Sequence, residues 1–138
     1  MPLPSILLGA SALVLLVLGS IHLLYTFRGP KLRPRDEALQ VRMQEVSPVL
    51  TRDTTMWKAW VGFNASHSMG AMLFGLVYGY LAIEQAALVF ESTFLAVLGL
   101  VFLLGYALLG KLYWFRIPFG GVLISLTCYI AAYALAFT

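Results

Sequence analysis

The sequence predicts an all-α, polytopic membrane protein in which four transmembrane helices form a bundle. Of the 138 residues, 61% are hydrophobic and 11% are charged, and the mean hydropathy is +0.89. Soluble domains carry about 25% charged residues, and a spanning helix needs about 20 mostly apolar residues. Four such runs and one polar segment fill the chain, so a single membrane domain is expected over residues 1–138.

The first span is expected over residues 3–27, closed by Arg28, Gly29 and Pro30. No basic residue precedes the apolar run and no small-residue cleavage site ends it, so a retained span is expected rather than a signal peptide. At about 100° per residue, one face should contact protein and the other lipid. The protein-facing set is Ser11, Leu15, Gly19, His22, Tyr25 and Thr26, and the lipid-facing set is Leu13, Leu16, Val17, Ile21 and Leu24.

The polar segment 29–56 contains most of the charged residues. Pro34 followed by Asp36 and Glu37 is typical of a helix start. Apolar residues then recur at spacings of four, three and four positions, at Leu39, Met43, Val46 and Leu50. This stripe predicts a short amphipathic helix in the membrane interface, ending near Ser47 and Pro48. An ordinary connecting helix over the bundle fits the same pattern, as does a surface that recruits a partner.

The second span, residues 57–83, carries Asn64 and His67 within an apolar run. Polar side chains at membrane depth are costly and by default mark function. Small residues on two flanks, Gly62, Ser66 and Gly70 on one and Ser68, Gly75 and Gly79 on the other, predict close helix neighbours on both sides. The face centred on His67 holds Trp60, Phe63, Asn64, Ala71, Phe74 and Tyr78, and the lipid-facing back holds Val61, Ala65, Met69, Met72 and Leu76.

The third and fourth spans are expected over residues 92–110 and 118–137. The third contains no ionisable residue, which indicates a structural role. The fourth carries a stripe with a spacing of four residues that should face protein, made of Gly121, Ser125, Tyr129 and Tyr133.

The basic residues predict the membrane orientation. With four spans, all nine lie on the side of the 29–56 segment and of the turn near residue 111: Arg28, Lys31, Arg33, Arg35, Arg42, Arg52, Lys58, Lys111 and Arg116. The positive-inside rule therefore places segment 29–56 in the cytoplasm and both termini outside. Trp57, Trp114 and Arg116 are expected at the cytoplasmic interface.

Several functional classes are disfavoured by composition. Cys128 is the only cysteine, which excludes an intramolecular disulfide and a thiolate-cluster metal site. No glycine-rich phosphate loop, zinc-finger spacing or long basic tract is present, so no nucleic-acid partner is expected. No cofactor is predicted from these features.

Helical rise predicts a polar cluster between the first two spans. Taking Arg28 and Trp57 as boundaries, His22 and Asn64 lie about 9 and 10 Å inside, and His67 about 15 Å inside. His22 and Asn64 should therefore meet at one level, with His67 about a turn deeper. The predicted ligand-binding set is His22, Tyr25, Asn64, His67 and Ser68, with an aromatic lining of Trp60, Phe63, Phe74 and Tyr78.

Four interpretations of this cluster stay open. Its side chains can be packing residues, each adding about 1 kcal/mol through bonds across helices. They can bind a lipid, quinone or isoprenoid. His22 and His67 can ligate haem or a metal, although a depth offset of about 6 Å counts against a shared iron. They can also serve an enzyme or proton relay, although no carboxylate lies at membrane depth. A non-enzymatic accessory subunit or lipid-like-molecule binder is favoured, with a membrane protein or a second copy as possible partners.

The segments GSIHLLYTF and WKAWVGFNASHSMG resemble those of a family of small four-span bacterial membrane proteins. The resemblance extends over essentially the whole chain and is most specific at His22 and at residues 64–70. It implies a four-span bacterial inner-membrane protein. The family has no established activity, so the resemblance assigns no mechanism.

The orientation generates a first testable prediction. Alkaline phosphatase fused after residue 138 should be active in a bacterial host, because the carboxyl terminus is expected in the oxidising periplasm. The same reporter fused after Gln44, within the cytoplasmic segment, should be inactive. Activity after Gln44 with none at the carboxyl terminus would reverse the orientation.

Overall fold

The computed structural model describes residues 1–137, over which the chain forms six α-helices and no strand. These are α1 (Leu3–Phe27), α2 (Glu37–Glu45), α3 (Met56–Glu84), α4 (Ala86–Glu91), α5 (Thr93–Tyr113) and α6 (Arg116–Ala136). Four of them, α1, α3, α5 and α6, are long and apolar enough to cross a membrane. The all-helical fold with four spans is confirmed, and the chain has the architecture of a multi-pass membrane protein.

The ends of the spanning helices differ from the predicted bounds by up to three residues. α5 continues through the basic Lys111 to Tyr113, and α6 begins at Arg116 rather than Pro118. Pro118 stays within the first turn of α6, where its missing N–H has no intrahelical acceptor to lose. The connection before α5 contains the short helix α4, and the Ser92 side chain accepts the backbone N–H of Leu95 to start α5.

The described chain forms two compact units whose boundaries fall inside α1 and α3. One unit combines Met1–Leu18 with the chain from Ala71 onward, and the other is Gly19–Gly70. The first unit is a packed helical core. The second contains the end of α1, the polar segment with α2, and the start of α3.

The first unit is held by aromatic stacking and by side-chain bonds between helices. The Ser125 hydroxyl donates to the Ser11 carbonyl at 2.9 Å, and the Tyr78 hydroxyl donates to the Leu95 carbonyl at 2.7 Å. Phe74 stacks on Tyr78 with ring centroids 4.5 Å apart. Ser125 is completely buried, which agrees with the predicted protein-facing stripe on α6.

Only one of the two predicted small-residue flanks of α3 has a close neighbour. A Cβ added to Gly75 would lie 2.6 Å from Leu16 Cβ and 2.7 Å from the Ala12 carbonyl oxygen. On the other flank, Gly62 and Ser66 are exposed, and a Cβ on Gly62 would meet no atom within 4 Å. At Gly62 and Ser66 the described chain therefore supplies no close neighbour, because small side chains permit close approach without providing the partner.

The helix in the polar segment is shorter than its apolar stripe predicts. Asp36 caps α2 by accepting the backbone N–H groups of Ala38 and Leu39. α2 then ends at Glu45, and Val46 has an extended backbone. Pro48 disfavours helical backbone at the residue before it, so the last stripe residue, Leu50, lies in a loop.

Packing at Gly75 yields a prediction with a control on the same helix. Gly75→Ala should destabilise the protein by about 1–3 kcal/mol, because the new methyl overlaps a backbone oxygen that cannot move independently. Gly62→Ala should cause no loss and gain up to about 1 kcal/mol from helix propensity. Unfolding by increasing dodecyl sulfate fraction in mixed micelles, followed by circular dichroism, measures both. Equal stability of the two variants would contradict the close approach at Gly75.

Candidate functional site

The second unit brings together three polar side chains, two of which, His22 and Asn64, the sequence placed at one depth and the third, His67, about a turn deeper. His22 Nε2 lies 3.0 Å from Asn64 Oδ1. The His22 and His67 rings meet edge to face, with centroids 5.4 Å apart and planes inclined at 81°. All three side chains are half-buried. The C-terminal end of α1 and the beginning of α3 thus share a polar contact, with Asn64 and His67 on successive turns of one helix.

The orientation of the Asn64 amide is determined by its second contact. Its Nδ2 donates to the Trp60 carbonyl one turn earlier, at 2.8 Å. Because a carbonyl only accepts, the nitrogen must face Trp60 and the oxygen must face His22. His22 therefore donates from Nε2 to Asn64. In the neutral imidazole this leaves Nδ1 as the acceptor.

The hydroxyl groups around the cluster are bonded to their own helices. Ser68 donates to the Asn64 carbonyl and Thr26 donates to the His22 carbonyl, both at 2.8 Å. Such bonds one turn back are a common way to satisfy Ser and Thr inside helices. Ser68 is completely buried. Its hydroxyl proton is committed to the α3 backbone, which leaves Ser68 less suited to direct ligand contact than the sequence predicted.

A cavity of about 220 Å³ lies beside this cluster. It is bounded by the end of α1, the residues that follow it, and the first turns of α3. Gly29, with φ of 80°, gives the chain the left-handed turn that follows α1. The Trp60 indole N–H then donates to the Leu32 carbonyl at 2.9 Å and ties α3 to this returning segment. The lining residues are Tyr25, Thr26, Phe27, Gly29, Leu32, Arg33, Trp57, Trp60, Val61 and Asn64.

Some predicted ligand-binding residues line this cavity and others do not. Tyr25, Trp60 and Asn64 line it. His22 and His67 are absent from the lining and reach it through the contact of His22 with Asn64. Phe63 is 73% exposed.

Phe74 and Tyr78, the other predicted aromatic lining residues, lie in the first unit. Their exposures are 5% and 4%, and they belong to its stacked aromatic core. Of the three residues predicted at the cytoplasmic interface, one lines the cavity and two do not. Trp57 lines the cavity, whereas Trp114 packs edge to face on Tyr106 and Arg116 starts α6.

Sequence reasoning missed the contribution of residues 29–33. Leu32 and Arg33 line the cavity, and Arg33 is the only charged side chain that does so. The Gly29-Pro30 pair carries a usable signal, because this dipeptide typically marks a chain reversal. A reversal directly after α1 brings the following residues back toward the helix end.

The described residues offer a small donor set for metals. Among residues 1–137, no group of three or more His, Cys, Asp or Glu side chains is arranged to hold a metal ion. The remaining candidates are the two imidazoles of His22 and His67. Haem or metal ligation by this pair stays a hypothesis.

Comparisons with protein-family models, curated proteins and solved structures gave no match for this chain. The sequence resemblance to small four-span bacterial proteins therefore adds no residue role. The site is interpreted from its own geometry.

The Asn64 contact predicts the tautomer of His22. In ¹⁵N NMR spectra of histidine-labelled protein, the neutral His22 ring should carry its proton on Nε2. Asn64→Leu removes the acceptor, and the loss of a bond worth about 1 kcal/mol should reduce this preference about fivefold. His67→Phe assigns the two histidine spectra. A proton on Nδ1 of neutral His22 in the unsubstituted protein would contradict the assigned contact.

Proposed function

We propose that the protein binds the polar head of a lipid-like molecule in the cavity lined by Tyr25, Arg33, Trp60 and Asn64. The observation that carries this proposal is the mixed lining, in which four aromatic side chains share the cavity with polar groups, among them Arg33 and Asn64. Small-molecule sites typically combine apolar walls with a small number of positioned donors and acceptors. A lipid, a quinone or an isoprenoid has a head group of this kind.

The size of the cavity fits a head group rather than a whole molecule. Pockets that enclose a complete drug-sized ligand measure about 300–1,000 Å³, and this cavity is about 220 Å³. The tail of the ligand would then lie along apolar side chains outside the cavity. Ile21 and Leu24 of α1 are 44% and 49% exposed, do not line the cavity and supply such a surface.

Asn64 retains hydrogen-bonding capacity for a ligand. Its amide has two hydrogens and two acceptor positions on oxygen, and one of each is used by Trp60 and His22. The second hydrogen and the second lone pair can therefore serve a head group. His22 acts here as a positioning residue that holds the amide, and its edge contact with His67 supports its ring orientation.

Positive charge near the cavity favours an electron-rich head group. Arg33 lines the cavity, and Lys31 Nζ lies 5.8 Å from the ring centroid of Tyr25, another lining residue. No carboxylate is among the lining residues, which supports binding rather than acid–base catalysis. The positive-inside pattern supports an opening toward the cytoplasmic leaflet.

Native mass spectrometry tests this function directly. Protein in detergent is titrated separately with phosphatidylglycerol and with a short-chain ubiquinone, and one of the two probes should give a one-to-one adduct. Asn64→Leu and Trp60→Leu should each weaken that adduct about tenfold, because each leaves a backbone or side-chain partner unsatisfied beside the cavity. Phe63→Leu is the matched control, since Phe63 is exposed on the same helix outside the cavity lining. Equal adducts in all variants would indicate nonspecific annular binding and overturn the proposal.

A further inference from the structure

The loop that joins α2 to α3 has a closed base and a tight turn at its tip. The Met56 backbone N–H donates to the Val46 carbonyl at 2.8 Å, which joins the end of α2 to the first residue of α3. At the tip, the Thr51 N–H donates to the Pro48 carbonyl at 3.3 Å. Val49 and Leu50 therefore occupy the two central positions of a four-residue turn.

Those two central residues are unusual in both type and exposure. Turn centres favour Gly, Pro, Asn, Asp and Ser, yet here two bulky apolar side chains occupy them. Val49 and Leu50 are 109% and 93% exposed, the highest values among the exposed large hydrophobic residues. They lie outside the four spanning helices, so the bilayer core that covers those helices does not account for them.

Local hydrogen bonds follow the tip on its carboxyl-terminal side. The Thr51 hydroxyl donates to the Asp53 carboxylate at 3.0 Å, and the Asp53 backbone N–H donates to the Thr51 hydroxyl oxygen at 3.1 Å. These local bonds fix the residues directly after Leu50. The apolar pair is thus presented on a defined loop, which removes part of the entropy cost of binding.

The surrounding segment carries an excess of positive charge. From Arg28 to Lys58 it contains seven of the nine basic residues and four of the six acidic residues, a net charge of +3. Among the described residues, the one ion pair joins Arg42 to Glu45 at 3.3 Å. Arg52 directly follows the turn, and Lys58 lies in the first turn of α3.

We propose that the loop 46–56 inserts the side chains of Val49 and Leu50 past the head groups to the acyl-chain boundary of an anionic membrane leaflet, where Arg52 and Lys58 contact lipid phosphates. The base of the loop is continuous with α3, a spanning helix, and therefore lies next to the membrane boundary. Apolar side chains flanked by cations match the two parts of that boundary, acyl chains and anionic head groups. A protein partner would need no such proximity to the spanning helix.

Single-cysteine labelling tests the insertion. Cys128→Ser removes the only cysteine, and Leu50→Cys then accepts a nitroxide spin label in protein reconstituted into nanodiscs. Insertion predicts high collision accessibility to oxygen and low accessibility to a water-soluble nickel chelate. Gln44→Cys, on the exposed surface of α2, is the matched control and should show the opposite ratio. High nickel accessibility at residue 50 places the tip in water, and low accessibility to both reagents places it in a protein contact. Either result would overturn the proposal.

The lipid charge requires a second comparison. Nanodiscs of phosphatidylcholine alone and of phosphatidylcholine mixed equally with phosphatidylglycerol are prepared with the same labelled protein. The oxygen-to-nickel ratio at residue 50 should rise with the anionic lipid, and Arg52→Gln should reduce that preference about fivefold. An equal ratio in both lipid mixtures would overturn the anionic assignment. Failure of these labelling experiments would leave the cavity proposal untouched, because Gln44, Leu50 and Arg52 do not line the cavity.

Discussion

A polar group within a bilayer is costly unless it finds a partner inside the protein, since no water is available there. This constraint explains the side-chain bonds of the first unit. Tyr129 and Tyr133 donate their hydroxyls at 2.9 Å to the carbonyls of Ala96 and Val89. Ser5 is an exception, because its buried hydroxyl has no hydrogen-bond partner among the described residues. Each satisfied tyrosine buries a large ring while its hydroxyl links separate helices, so polar satisfaction and helix packing are achieved by the same residue.

In the second unit, the hydroxyl side chains meet this constraint but the Asn64 amide does so only in part. Ser68 and Thr26 are satisfied by their own helix backbones, so they do not need a ligand. Asn64 has more donors and acceptors than its contacts with Trp60 and His22 use, and it lies beside a cavity. Asn64 is half-buried, and the hydrogen-bonding capacity it does not use within the protein is open to a ligand in the cavity. The proposed head-group binding therefore rests on Asn64 rather than on neighbours whose hydroxyls already donate to their own helix.

The fold was predictable because length and hydropathy determine a spanning helix almost regardless of its partners. Depth along a straight helix likewise predicted that His22 and Asn64 meet, since the rise per residue is constant. The angular position of a side chain around the helix was a less reliable guide to its surroundings. Phe63, Phe74 and Tyr78 fall on one side of an ideal helix, yet Phe63 is exposed and the other two pack in an aromatic core. Which part of a face is covered depends on the neighbouring elements, and periodicity does not contain that information.

Residues 29–33, which follow α1, show that local patterns in a loop also fail to specify which distant residues meet. Gly29 and Pro30 indicate a reversal, but the contact that defines the cavity is the bond from the Trp60 indole to the Leu32 carbonyl, 28 positions apart. No local pattern specifies such a pairing. The loop after α2 illustrates the opposite case, because Pro48 ends the helix and thereby moves Leu50 from the predicted apolar stripe to the tip of a turn. Leu50, which the sequence pattern assigned to the apolar face of a helix, therefore lies beside Val49 at the tip of the loop. The most exposed apolar side chains of this segment therefore lie at the tip of the loop, beyond the end of α2.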